Sequence, residues 1–197
     1  MIRKTTLLRL CATPLLAITL LGPSMTQVKA QTPTNEKSKP YVLVDKGTPI
    51  VSVVLSPDFT PPMKHAAEDL IWHLKEISGA DVSLYEQTQA GDFPKGARGV
   101  ILITDQPKEG EVLPGNEEYT IATEAGQPWV IRIFGDGKRG AMYGVYGFLQ
   151  DELGCRWFTA DSSRIPKSET IAVGELNIHG KPAFEYREPY YFEAFTN

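Results

Sequence analysis

Apolar side chains recur along this chain with two different periods. Tyr41-Val42-Leu43-Val44 and Ile50-Val51-Ser52-Val53-Val54-Leu55 are β-branched runs separated by Asp45-Lys46-Gly47-Thr48-Pro49, which predicts two strands joined by a turn. Met63, Ala66, Ala67, Leu70, Leu74 and Ile77 then return at helical spacing, which predicts a helix with one face against a sheet. Thr60 is placed to cap that helix, Pro61 suits its first position, and Ser78-Gly79 should stop it. Asp81 to Tyr85, Val100 to Thr104, Tyr119 to Thr123 and Trp129 to Phe134 read as strands, the last two forming a hairpin through Ala125-Gly126-Gln127-Pro128. A second helix is predicted from Lys138 to Leu153, ending at Gly154. Gly140, Gly144 and Gly147 fall on one side of it. Each costs roughly 1 kcal/mol relative to alanine in a helix, so three on one side predict a very close approach to the sheet. A last strand is expected within Glu169 to Ile178. The fold class that results is α+β, a two-layer sandwich of a mixed β-sheet and two main helices.

Before Tyr41 the pattern changes. Arg3, Lys4 and Arg9 are followed by an apolar stretch from Leu10 to Gly22 and by Val28-Lys29-Ala30, the layout of a secretory signal peptide over residues 1–30. The apolar stretch is shorter than the roughly 20 residues of a transmembrane helix, so no membrane span is expected after cleavage. Residues 31–40 are polar and carry prolines, as a linker does. The expected destination is export, periplasmic or extracellular.

Charge and cysteine content narrow the function classes. The chain has 20 Lys+Arg and 24 Asp+Glu, a net charge of −4. Losing Arg3, Lys4, Arg9 and Lys29 with the signal leaves 16 basic against 24 acidic side chains, a net charge of −8. That balance repels phosphate backbones, and no basic run is interleaved with aromatics, so no nucleic-acid partner is expected. Cys155 is the one thiol outside the signal and reads as a small buried hydrophobe.

Three groups of residues invite chemistry. Gly135-Asp136-Gly137-Lys138-Arg139-Gly140 matches G-x-G-x-x-G between a predicted strand and a predicted helix, with Asp161 about twenty residues on. Arg132, however, interrupts the preceding strand, whereas a dinucleotide-binding strand is apolar on both faces, and too few βα units follow. His65, Asp69 and His73 repeat every four residues on the polar side of the first helix; such a set can hold zinc, but Glu68, Lys75 and Glu76 share that side, and an ordinary solvated face explains it without a metal. Glu185, Glu188 and Glu193 crowd one short segment and do not make the separated carboxylate pair of glycoside hydrolysis. No cofactor, metal or catalytic residue is therefore assigned. After Gly180, Phe184 to Phe195 is rich in aromatic residues, which reads as the first strand of a further domain, residues 181–197, or else as a terminal strand of the same sheet.

Three segments in order carry a family resemblance. Ala66-Ala67-Glu68-Asp69-Leu70-Ile71-Trp72-His73-Leu74-Lys75-Glu76-Ile77-Ser78-Gly79, Glu118-Tyr119-Thr120-Ile121 and Arg139-Gly140-Ala141-Met142-Tyr143-Gly144-Val145-Tyr146-Gly147-Phe148-Leu149 precede Gly154-Cys155-Arg156-Trp157-Phe158. Together they resemble the α-glucuronidase N-terminal domain of glycoside hydrolase family 67, a domain type that also precedes the barrel of β-N-acetylhexosaminidases. The resemblance covers residues 41–180. It implies a non-catalytic α+β layer beside a (β/α)8 barrel that holds the catalytic carboxylates, a carbohydrate substrate reached through that barrel, and an inactive chain in the barrel's absence. Glucuronic-acid-bearing xylan is the implied polymer.

Pro182-Ala183-Phe184-Glu185-Tyr186-Arg187 is similar to the opening of the first barrel strand in hexosaminidase-like enzymes. That match makes Arg187 a candidate substrate contact, since a guanidinium suits paired hydroxyls or a uronate carboxylate. An ion pair of Arg187 with Glu185 is the structural alternative, and Glu188 stands where hexosaminidases often carry glycine. A second class of function stays open beside the first: a self-standing carbohydrate-binding or protein-interaction module, with Trp72, Trp129 and Tyr190-Tyr191 stacking on sugar rings. A coplanar exposed set of these rings would favour binding, and burial of all of them a scaffold. The oligomeric state is not legible.

Overall fold

The computed structural model describes residues 39–159 and 161–183. In chain order the elements are β1 (Tyr41–Asp45), β2 (Thr48–Pro49), β3 (Val51–Leu55), α1 (Pro61–Ser78), β4 (Leu84–Glu86), β5 (Gly99–Thr104), β6 (Tyr119–Glu124), β7 (Trp129–Gly135), α2 (Gly140–Gly147), β8 (Arg156–Thr159), β9 (Ser162–Arg164), β10 (Ile171–Val173) and β11 (Asn177–Gly180). A six-stranded sheet has the order β11-β6-β7-β5-β3-β4. Its β4, β3, β5 and β7 run parallel, β6 runs against them, and β11 pairs antiparallel with β6, so the sheet is mixed and the class α+β.

Strand alternation assigns the two faces. Val53 and Leu55, Ile101 and Ile103, Ile121, and Ile131 and Ile133 are almost wholly buried in one cluster with Met63, Leu70 and Leu74 of α1 and Val145 of α2. Both helices therefore cover the same face, and the α1 positions predicted from periodicity are all buried, together with His73. At about 1.5–3 kcal/mol per large apolar side chain, this layer dominates the folding energy. The opposite face holds a smaller cluster of Val54, Val100 and Val130, packed by Tyr85, Phe93, Ala97 and Leu102.

Several expectations are refined. The two opening strands share no ladder: β1 pairs antiparallel with β10 and β2 in a separate three-stranded sheet, while β3 sits inside the large one. The last strand is two, β10 joining β1 and β11 closing the large sheet against β6. Thr60 precedes α1 without a side-chain cap; its hydroxyl donates to the Gly137 carbonyl and ties the start of α1 to the loop before α2. Gly79 closes α1 in the left-handed region at φ +77°, its N–H reaching Lys75 O at 2.7 Å.

The second helix starts at Gly140 because the Asp136 carboxylate accepts the amides of Arg139 and Gly140. It continues as a π-type turn, Phe148–Glu152, before Gly154. Its glycines do what their spacing predicts. A Cβ on Gly144 would lie 2.6 Å from Ile133 Cγ2, and one on Gly147 would overlap the Tyr119 hydroxyl. The β8–β9 hairpin was not expected, because its positions are exposed and show no alternation.

Candidate functional site

The face of the sheet away from the helices carries a groove of about 380 Å³. It lies near the carboxyl ends of β3, β4 and β5, the place where parallel strands present ligand-binding side chains. Strand alternation puts Leu102 and Val130 on its floor, with Phe93 and Pro107 contributed by the flanking loops. Ser56 extends β3 by one residue, its N–H bonding Ile103 O at 3.1 Å, and is 2% exposed. Ser56 lines the groove, and its buried hydroxyl has no hydrogen-bond partner among the described residues. Thr104 is as buried, and its Oγ1 accepts from the Gln106 amide at 3.0 Å. Gln87, also buried, donates through Nε2 to Asp92 O at 2.9 Å and holds the 87–98 loop over the sheet.

The charged side chains around the groove are paired. Arg132, read from the sequence as an interruption of an apolar strand, points to this face and is 6% exposed. Its Nη1 donates to Glu111 Oε1 at 2.8 Å, its Nη2 to Gln106 O at 2.8 Å, and the guanidinium lies 4.1 Å from the Phe134 ring centre. Burial pushes the Glu111 carboxyl up, but hydrogen bonds from Arg132 and the Lys108 amide and the charges of both residues outweigh it and hold Glu111 below its ordinary range. Lys108 Nζ pairs with Glu124 Oε1 at 2.6 Å across the rim.

At the start of α2 the carboxylates repel one another. Burial, joined by the charges of Asp58 and Asp136, pushes the Asp105 carboxyl up against its backbone hydrogen bond. A group raised in the fold favours folding below its unfolded value, near 3.8, and loses that contribution as pH rises through the folded value. Asp105→Asn is therefore expected to stabilise the chain at pH 7 by about 0.5–1 kcal/mol. The gain should vanish near pH 3, where both side chains are neutral, as read from urea midpoints at the two pH values.

The helical triad does not converge. His65 Nε2 lies 3.6 Å from Asp69 Oδ2, which also accepts the Tyr146 hydroxyl of α2. His73, expected on the polar side, is 4% exposed: its Nδ1 donates to Asp69 O at 2.7 Å and its ring stands edge-on to Trp72 and Trp157. Its place three residues after Leu70 and four before Ile77 puts it in the buried row of α1, and Trp157 of the β8–β9 hairpin adds a contact that local spacing does not encode. Among the described residues, no three His, Cys, Asp or Glu side chains are grouped to hold a metal.

The remaining sequence candidates are scattered. Cys155 is fully buried, and burial pushes its thiol up, which leaves it inert. Trp72, Trp157 and Phe158 are 51%, 41% and 67% exposed, whereas Trp129 packs over Gly99 and edge-on to Tyr41. Neither full burial nor one exposed set is therefore realised. Arg187, Glu185, Glu188, Glu193, Tyr190-Tyr191, the expected first barrel strand and the expected signal peptide lie outside the described residues. Among the described residues, no helix is long and apolar enough to cross a membrane.

No protein-family model matches the sequence, and no curated protein matches it. Among solved structures, the chain is similar to the GH20 β-N-acetylhexosaminidase of Streptomyces coelicolor A3(2), at 14% identity and a TM-score of 0.47, over 76% of this chain and 25% of that one. It is also similar to the Flavobacterium johnsoniae chitobiase, at 18% identity and a TM-score of 0.43, over 76% of this chain and 20% of that one. A family GH115 4-O-methyl-α-glucuronidase with specificity for decorated arabinogalactans matches at 15% identity and a TM-score of 0.48, over 74% of this chain and 19% of that one. The chain thus spans a quarter or less of the length of each of these glycoside hydrolases.

Proposed function

We propose that residues 41–180 are a non-catalytic domain of an exported glycoside hydrolase, with the catalytic carboxylates on a barrel that follows and glucuronic-acid-bearing xylan as the polymer the resemblance favours. One observation carries this reading. The three segments that bear the family resemblance are the ones that pack on each other: Asp69 of α1 accepts the Tyr146 hydroxyl of α2, and the Tyr119 ring of β6 lies against Gly144 and Gly147. None of them lines the groove. The resemblance is thus one of core packing, as a supporting domain requires. Its carboxylates serve as ties, Glu76 to Lys167 at 3.2 Å and Glu118 to Lys181 at 2.9 Å.

Arg187 remains the candidate sugar contact at the start of the barrel. The exposed Trp72, Trp157 and Phe158 favour a second reading, a stand-alone carbohydrate-binding or interaction module.

The chain alone should release no aryl leaving group from nitrophenyl glucuronides, xylosides or N-acetylglucosaminides, and turnover above a boiled control would overturn the non-catalytic assignment. The reading frame beyond Asn197 should continue through βα units with acidic residues at strand ends. A stop codon directly after Asn197 would end the glycosidase reading and leave the module.

A further inference from the structure

The groove behind the sheet is lined by none of the segments quoted for the family resemblance. Ser56 is the telling residue. The residue is 2% exposed and its hydroxyl has no hydrogen-bond partner among the described residues; such a group is costly to fold around, and a ligand that completes it removes the cost. Here Ser56 lines a groove of about 380 Å³, within the size range of small-molecule sites.

The lining states what fits. Phe93, Leu102 and Val130 offer an apolar surface, and Ser56, Gln87 and Thr104 a polar edge beside it. Both cations at the groove already have carboxylate partners, Lys108 with Glu124 at 2.6 Å and Arg132 with Glu111 at 2.8 Å. An anionic ligand would have to break one of those pairs. A ligand with one apolar face, several hydroxyls and no charge would break none.

We propose that this groove binds one neutral sugar ring, its C–H face on Leu102 and Phe93 and a ring hydroxyl completing Ser56. The choice of ligand class rests on the carbohydrate reading above. The site would hold a neutral glycan unit and would not accept a uronate.

The test is a nuclear magnetic resonance titration of the full chain with xylose, glucose, N-acetylglucosamine and their oligomers, and separately with glucuronic acid. Saturable shifts of the Leu102 and Val130 methyls by a neutral sugar are expected, with glucuronic acid weaker. Ser56→Ala should weaken that binding about fivefold without lowering Tm, which a purely structural role would not produce. Phe93→Ala should weaken it as well, through lost stacking. Unchanged affinity in both variants overturns the site, as does tighter binding of glucuronic acid. Shifts confined to the Trp72 and Trp157 indoles overturn the groove while leaving the carbohydrate reading intact. Silence toward every sugar overturns the groove, and the reading frame past Asn197 then decides the glycosidase reading separately.

Discussion

Tyr119→Ala is expected to lower the unfolding free energy by about 3 kcal/mol, the scale of an aromatic truncation at a well-packed site. The Tyr119 ring lies in a trough made of three glycines, Gly144 and Gly147 of α2 and Gly180 of β11, and a Cβ on any of them would press on it. The trough is how α2 comes down onto β6, so losing the ring opens a void between helix and sheet. Gly147→Ala supplies the second corner of a double-mutant cycle. The three atoms nearest a Cβ there all belong to Tyr119, its Oη, Cζ and Cε2. In the parent chain the substitution should therefore destabilise by about 1–2 kcal/mol through overpacking. In the Tyr119→Ala background it should stabilise by roughly 1 kcal/mol, because alanine's helix propensity is then unopposed. Urea midpoints of the four chains measure this, and equal effects of Gly147→Ala in both backgrounds would refute the trough.

The sequence made the helix layer legible because its information is local. Met63, Ala66, Ala67, Leu70, Leu74 and Ile77 announce α1 by spacing, and each is buried as that spacing demands. The three glycines of the second helix likewise announce a close approach. The pairing of β1 with β10 was hidden because the partners stand some 130 residues apart, and nothing in Tyr41 to Val44 distinguishes a partner at β10 from one at β3. His73 was misplaced for a different reason: three residues after Leu70 and four before Ile77 it lies in the buried phase of the helix, and its polar ring, not its spacing, set it on the polar side; Trp157, from a distant hairpin, packs edge-on to it. The groove was nearly invisible, since Ser56, Gln87, Gln106 and Lys108 sit on strand ends and loops with no motif spacing. One signal did exist. Arg132 in a run of apolar residues marks a strand whose second face is not helix-covered, and that face is where the groove lies.

Breaking the Arg132–Glu111 pair should have the second large effect. Glu111→Ala leaves a guanidinium that is 7% exposed without its carboxylate, and the expected cost at pH 7 is about 2 kcal/mol. That is less than the roughly 3–5 kcal/mol of a wholly buried pair, because Glu111 itself is 33% exposed and partly screened by water. Arg132→Met should cost less, since it removes the buried charge and leaves a carboxylate that water can reach. The double variant should approach the parent chain, as replacing both members of an ion pair usually does. The pH dependence gives an independent check. A carboxyl held low in the fold contributes stability above its unfolded value, near 4.5, and loses it as pH falls through the lower folded value. The gap between the parent chain and Glu111→Ala should therefore narrow below about pH 4.5, and a gap that stayed constant down to pH 3 would mean that charge is not what Glu111 contributes. Because Glu111 also accepts the Lys108 amide at 2.8 Å, it holds the Gln106–Lys108 wall of the groove over Leu102. The same substitution should thus weaken neutral-sugar binding, linking the stability of that wall to the occupancy of the site it encloses.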